Sequence, residues 1–134
     1  MNQLRGSLYN EINDFNDSRV ALFRNLTDKQ LRVSLESEQG VFIAETPNVI
    51  ITALQNGMEP LALLCSARQL RGTAKPVIEV CGNIPVYTAT DSILEEIAGF
   101  HLTKGVLCAM KRPKNNSLES VCNGALRLAV IHGV

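Results

Sequence analysis

Residues 41–66, VFIAETPNVIITALQNGMEPLALLCS, decide the reading of the fold. Val41 to Glu45 is a short apolar run of strand type. Thr46-Pro47 then supplies an N-cap residue followed by a proline at the first helical position, where a missing N–H costs nothing. Ile50, Ile51, Ala53 and Leu54 recur at helical spacing and predict the buried face, while Asn48, Thr52 and Gln55 face outward. Gly57 ends the helix, and Pro60 to Cys65 reads as the next strand.

Working outward from that unit, Ser66 with Gln69 opens another helix that pauses at Gly72. Lys75-Pro76 restarts a helical turn that finishes near Gly82. Ile84 to Ala89 is a third strand, after which Thr90 or Ser92 caps the helix SILEEIAGF. In GFHLTKGVLCAMKRP, residues 99–113, Val106 to Met110 is so continuously apolar that it predicts an interior strand. Strands and helices alternating at this spacing place the chain in the α/β class. The expected architecture is a three-layer α/β/α sandwich around a mixed sheet of about four strands.

The flanks are less regular. In the first 18 residues Leu4, Leu8, Ile12 and Phe15 stand at near-helical spacing, but Gly6 and NDFNDS interrupt them, so an N-terminal arm or short helix is expected. Ser18 is a cap for the short helix RVALFRN, and Thr27 with Gln30 forms a capping box for DKQLRVSLE. After the fourth strand, KRPKNNS, residues 111–117, reads as a polar linker. SLESVCNG follows as a short helix or turn, and Leu126 to His132 reads as one more strand.

The 134 residues suit one domain, and hydrophobic residues at 46% against charged residues at 19% exclude wholesale disorder. Tryptophan is absent and aromatics are few, so contact with nucleic acid would lean little on base stacking. Cys65, Cys81, Cys108 and Cys122 lack paired spacing and read as reduced thiols that behave as small hydrophobes. His101 and His132 have no ligand-spaced partner, so no metal site is expected. With neither a signal-like start nor a long apolar run, the expected location is cytoplasmic, with no membrane contact.

Net charge is zero, yet the bases are unevenly placed. Lys104, Lys111, Arg112 and Lys114 lie in a stretch with no acid, and Arg19, Arg24, Lys29 and Arg32 stand against Asp28 alone. Such local positive surface is what phosphate binding needs; the competing reading is a pair of solvated faces. Arg68, Arg71 and Lys75 read as a solubility face. Asp91, Glu95 and Glu96 sit in opening helical turns, where carboxylates favour the positive end of the dipole, which explains them better than acid–base catalysis does. Glu45, at a strand end beside a helix start, is read as organising the loop by accepting backbone N–H bonds, with direct RNA contact the alternative.

Three segments in order resemble the N-terminal domain of SpoU/TrmH-type (SPOUT) RNA methyltransferases: RNLTDKQLR (24–32), VFIAETPNVIITALQNGMEPLALL (41–64) and LTKGVLCAMKRP (102–113). The resemblance implies the fold of ribosomal proteins that bind kinked RNA. It also implies a role in delivering rRNA or tRNA to a knotted catalytic domain that binds S-adenosylmethionine and methylates a ribose 2′-hydroxyl. RLAVIHGV is similar to the first strand of that catalytic domain, whose N-x-G-x-x-x-R-like run is absent here. The expected division is therefore residues 1–18 as an arm, 19–113 as the RNA-binding domain, and 114–134 as linker and first strand of a missing domain.

On this resemblance Arg24, Lys29 and Arg32 grip phosphates, Thr46 and Asn48 meet the RNA backbone, and Lys104, Lys111 and Arg112 extend the same surface. Glu45 and Gly105 organise the loops, and no residue of the chain is catalytic. One departure stands out: the family commonly has Glu-Gly where this chain has Glu45-Thr46. Glycine accepts positive φ and close approach of RNA, whereas threonine prefers β geometry and is expected here to serve as the helix cap. The alternative function is a stand-alone, non-catalytic RNA-binding or interaction module. The apolar end LRLAVIHGV is expected to pack back on the domain or to pair two copies of the chain as a homodimer.

Overall fold

A computed structural model of the chain describes residues 9–24, 40–102 and 105–133. Five strands form one sheet: β1 (Tyr9–Glu11), β2 (Val41–Glu45), β3 (Pro60–Ser66), β4 (Val86–Ala89) and β5 (Val106–Lys111), in the order β1-β4-β3-β5-β2. β1, β4 and β3 are mutually parallel, and β5 runs antiparallel to both β3 and β2. The helices are α1 (Pro47–Gln55), α2 (Ala67–Leu70), α3 (Lys75–Cys81), α4 (Asp91–Ala98) and α5 (Leu118–Cys122), with a 3-10 helix at Ser18–Phe23.

Two apolar clusters, one on each face of the sheet, make the layers. Val20 and Phe23 of the 3-10 helix and Leu94 and Ile97 of α4 pack on Ile43, Leu64 and Leu107. Ile50 of α1 and Val77 and Ile78 of α3 pack on Leu63, Val86, Cys108 and Met110 of the opposite face. Alternate residues of β3 and β5 therefore enter opposite clusters, as strand geometry requires, and every residue from Val106 to Met110 is buried. The three-layer α/β/α arrangement and the mixed sheet agree with the reading of the sequence.

Four local expectations are corrected. The sheet has a fifth strand, because residues 9–11 pair with Val86–Thr88 instead of forming an arm or helix; Ile12 follows, fully buried, its N–H donating to the Thr88 carbonyl at 2.7 Å. The 3-10 helix is capped by Asp17, one residue before Ser18: the Asp17 side chain accepts from the Arg19 backbone N–H. The Arg19 guanidinium, 2.7 Å away, holds the Asp17 carboxyl down at about 2. The third strand starts at Val86 instead of Ile84. Residues 126–133 form no strand and do not pack back: Leu126 is 98% and Val130 90% exposed. A strand needs a partner edge, and β propensity alone does not supply one. The capping box at Thr27 lies outside the described residues.

Side-chain caps at Ser66, Thr90 and Ser117 accept from the N–H three residues on, satisfying donors that the helix itself leaves unpaired. Cys65 and Cys108 are buried, Cys81 is half-buried and Cys122 exposed, all as free thiols; burial pushes the Cys65 thiol up to about 12.

Ile50 is the fully buried anchor of α1, so Ile50→Ala should cost about 3 kcal/mol through lost burial and the cavity it leaves. A fall in the urea midpoint with an unchanged slope is the expected observation.

Candidate nucleic-acid interface

The start of α1 is built on an unusual backbone. Thr46 has φ 70° and ψ 148°, and it is the one non-glycine residue with positive φ among the described residues. Its N–H donates to the Val106 carbonyl at 3.2 Å and its carbonyl accepts from Ile50 N–H at 3.1 Å, so the ladder and the helix fix it from both sides. The expected side-chain cap is absent: the Thr46 side chain makes no capping hydrogen bond. Backbone of this kind is nearly exclusive to glycine, and holding a threonine in it costs on the order of 1–3 kcal/mol. Glu45, half-buried, precedes it opposite Leu107.

Gly105 lies next to this end of β5. It is buried with φ 60°, and a Cβ there would meet Gln69 Cγ at 2.8 Å. Gln69 is itself placed by its N–H bond to Ser66 Oγ and by Thr73 Oγ1, which donates to its Oε1. Glycine is thus required both by conformation and by space.

At the other end of β5, Lys111 N–H donates to the Glu59 carbonyl and Arg112 N–H to the Gly40 carbonyl, at 2.8 and 2.7 Å. From there residues 112–117 run without regular structure beside α1. Asn48, Thr52 and Asn56, spaced four apart on one stripe of α1, face this segment across a groove of about 880 Å³. Phe42, Val49 and Met58 supply apolar lining, and Arg112, Lys114, Asn115 and Asn116 form the opposite wall. Among the described residues no carboxylate lines it.

Of the residues singled out in the sequence, Asn48 and Arg112 line this groove together, with Glu45 and Thr46 just before the helix and Lys111 adjoining Arg112. Lys111 Nζ stands 3.8 Å from a Glu59 carboxylate oxygen, both side chains 65% exposed, a pair that water screens. Arg24 is placed elsewhere, after a 3-10 helix that packs on the sheet face opposite α1. It donates to the Asp17 carbonyl at 2.6 Å and lies 5.4 Å over the Phe15 ring, so its charge holds a turn together. Lys29, Arg32 and Lys104 lie outside the described residues. Arg68 pairs loosely with Asp91 at 3.6 Å, and His101 Nδ1 pairs with Glu95.

Lys114 belongs to the basic cluster read from the sequence, whereas Asn56, Asn115 and Asn116 were not among the expected site residues. The signal available was the amide-rich KNNS after Pro113, which reads locally as linker. Among the described residues no cluster of three metal-ligating side chains occurs, and no helix is long and apolar enough to cross a membrane.

Comparison with known proteins decides the relationship. No family model matches. Over 124 residues, 92% of the chain, it is 32% identical to a Mycobacterium bovis protein named as an uncharacterized tRNA/rRNA methyltransferase, and to proteins of the same name in two strains of Mycobacterium tuberculosis. The chain is a homologue of tRNA/rRNA methyltransferases. It spans 42% of the length of these relatives. Its fold is shared with a crystal structure of an rRNA methyltransferase from Sinorhizobium meliloti, at TM-score 0.58 and 19% identity over 81% of this chain and 39% of that one. An RNA 2′-O ribose methyltransferase superposes equally well, at TM-score 0.58 and 18% identity.

Because the chain holds Thr46 in a glycine conformation, Thr46→Gly should stabilise it by about 1 kcal/mol, the relieved strain exceeding the added freedom of the unfolded chain. Calorimetry should show a melting temperature higher by about 3 °C; a decrease would mean that the threonine side chain contributes a contact worth more than the strain.

Proposed function

We propose that this chain is the substrate-RNA recognition domain, of SpoU type, of an S-adenosylmethionine-dependent rRNA or tRNA ribose 2′-O-methyltransferase acting in the cytoplasm. The observation that carries the reading is the groove between α1 and residues 112–116, which has bases and no acid among its described lining residues, in a chain homologous over 92% of its length to proteins named tRNA/rRNA methyltransferases. Phosphates would be met by Lys111, Arg112 and Lys114, and the start of α1 at Thr46 and Asn48 would face the RNA backbone. Lys29, Arg32 and Lys104, outside the described residues, are proposed as further phosphate contacts on the strength of the resemblance alone. Arg24 would support the fold first. Glu45 and Gly105 would shape the ends of the strands from which this surface rises.

A structural neighbour is an rRNA methyltransferase from S. meliloti with AdoMet bound. The groove between α1 and residues 112–116 does not fit that cofactor. AdoMet carries a sulfonium and an ammonium against one carboxylate, whereas the groove offers Arg112 and Lys114 and no acid. No step of methyl transfer is therefore placed on these residues, and residues 19–113 are read as the recognition unit.

Two outcomes are expected. Reversing Lys111 and Arg112 to Glu should weaken binding to structured RNA at least tenfold at low salt and flatten its salt dependence, because fewer counterions are released. The melting temperature should barely move, since both charges are exposed. Equal loss on reversing Arg68 and Arg71 would place the RNA on a different surface.

The exposed apolar end, with Leu126, Val130 and Ile131 at 98, 90 and 74% exposure, is proposed to pair two copies of the chain as a homodimer. Light scattering should give a dimer for the full chain and a monomer for a version ending at Asn115. A monomer in both cases would refute the pairing.

A further inference from the structure

We propose that the groove between α1 and residues 112–116 takes one unpaired nucleotide of the RNA, its amides reading the base while Arg112 and Lys114 on its wall meet the flanking phosphates. The inference rests on the RNA-recognition reading and adds to it what part of the RNA enters and why.

The groove is open to solvent, and its volume of about 880 Å³ falls in the range of about 300–1,000 Å³ typical of ligand clefts. Its lining is divided by chemistry. Phe42, Val49 and Met58 are apolar and suited to the face of a base. Four primary amides, Asn48, Asn56, Asn115 and Asn116, converge around them. Each amide offers both a donor and an acceptor, the pattern that matches the mixed edge of a nucleobase and not the uniform acceptors of a phosphate.

These amides are little used by the fold. Asn56 Nδ2 donates to the Thr52 carbonyl at 2.8 Å, a bond that uses its nitrogen and not its oxygen. Among the described residues, the side chains of Asn48, Asn115 and Asn116 make no hydrogen bond, so satisfying them does not require breaking the protein's own contacts. Arg112 and Lys114 stand on the linker wall, placed for the phosphates on either side of an inserted base. No acid stands among its described lining residues.

A base within an A-form helix does not fit this site. Its face is covered by its neighbours, and its major-groove edge lies too deep for side chains to reach. A bulged or looped-out base exposes both face and edge, and it matches an apolar floor ringed by amides.

The test compares two RNA hairpins of matched length, one fully paired and one with a two-nucleotide bulge, by fluorescence anisotropy with the full chain. The bulged hairpin should bind on the order of tenfold more tightly, the scale set by burying and stacking a single base. Thr52→Trp, which fills the groove from an exposed position on α1, should abolish that preference and leave paired-hairpin affinity unchanged. Asn115→Ala with Asn116→Ala, on an exposed segment where folding is not at risk, should do the same.

A parent protein that binds both hairpins equally, or a preference that survives in both variants, overturns the pocket while RNA recognition through Lys111 and Arg112 stands. Binding of AMP, CMP, GMP or UMP as tightly as the bulged hairpin would make the groove a free-nucleotide site and also overturn the proposal. Failure of the parent to bind either hairpin would remove the RNA reading itself, and the pocket with it.

Discussion

The structure depends on β5. Its residues Val106 to Met110 are buried on both faces, and the strand pairs with β3 on one side and β2 on the other. Running antiparallel to both, it closes what would otherwise be separate parallel and edge pieces into one sheet. Both ends of the candidate surface are registered by it. Thr46 is bonded to Val106 at one end, and the backbone N–H groups of Lys111 and Arg112 are tied to Glu59 and Gly40 at the other. The position of α1 relative to the segment that faces it is therefore set by backbone hydrogen bonds, which tolerate side-chain change better than packing does. That frame allows surface side chains to specialise while the groove keeps its shape.

Most of the central fold was legible because burial leaves a period in the sequence. The strands β2, β3 and β5 and helices α1 and α4 show apolar spacing or runs bounded by cap residues, and these signals are local. The misreadings arise where pairing is decided at long range. Tyr9–Glu11 is too short and polar to announce a strand, and its flanking Ile12 and Phe15 imitate helical spacing. LRLAVIHGV has strand-like composition, but its described residues pair with no strand of the sheet. The groove was half visible: Asn48 and Arg112 stood out through charge and position, whereas Asn115 and Asn116 acquire meaning only when the segment carrying them lies opposite α1.

Thr46 illustrates a different limit. The resemblance placed a glycine at this position, and the backbone indeed adopts a glycine geometry, with φ of 70°. What sequence reasoning got wrong was the response of the chain. A threonine was expected to take up a β conformation and cap the helix, but two backbone hydrogen bonds on Thr46 outweigh the preference of a single side chain. The fold is over-determined here, and the strain is carried at the start of the helix that lines the groove.

If the chain recognises RNA as proposed, electrostatics and shape divide the work. A chain of zero net charge has little long-range attraction for RNA, so affinity must come from a small local field. The acid-free groove provides one, and because Lys111 and Arg112 are exposed their contribution is screened by salt. Phosphate contacts of this kind position RNA without reading it. Discrimination has to come from groups that are insensitive to salt and particular about geometry, and those are the amides on α1 and on residues 115–116. With few aromatic residues available for stacking, hydrogen-bond complementarity to a base displaced from its helix is the selectivity this surface is equipped to supply.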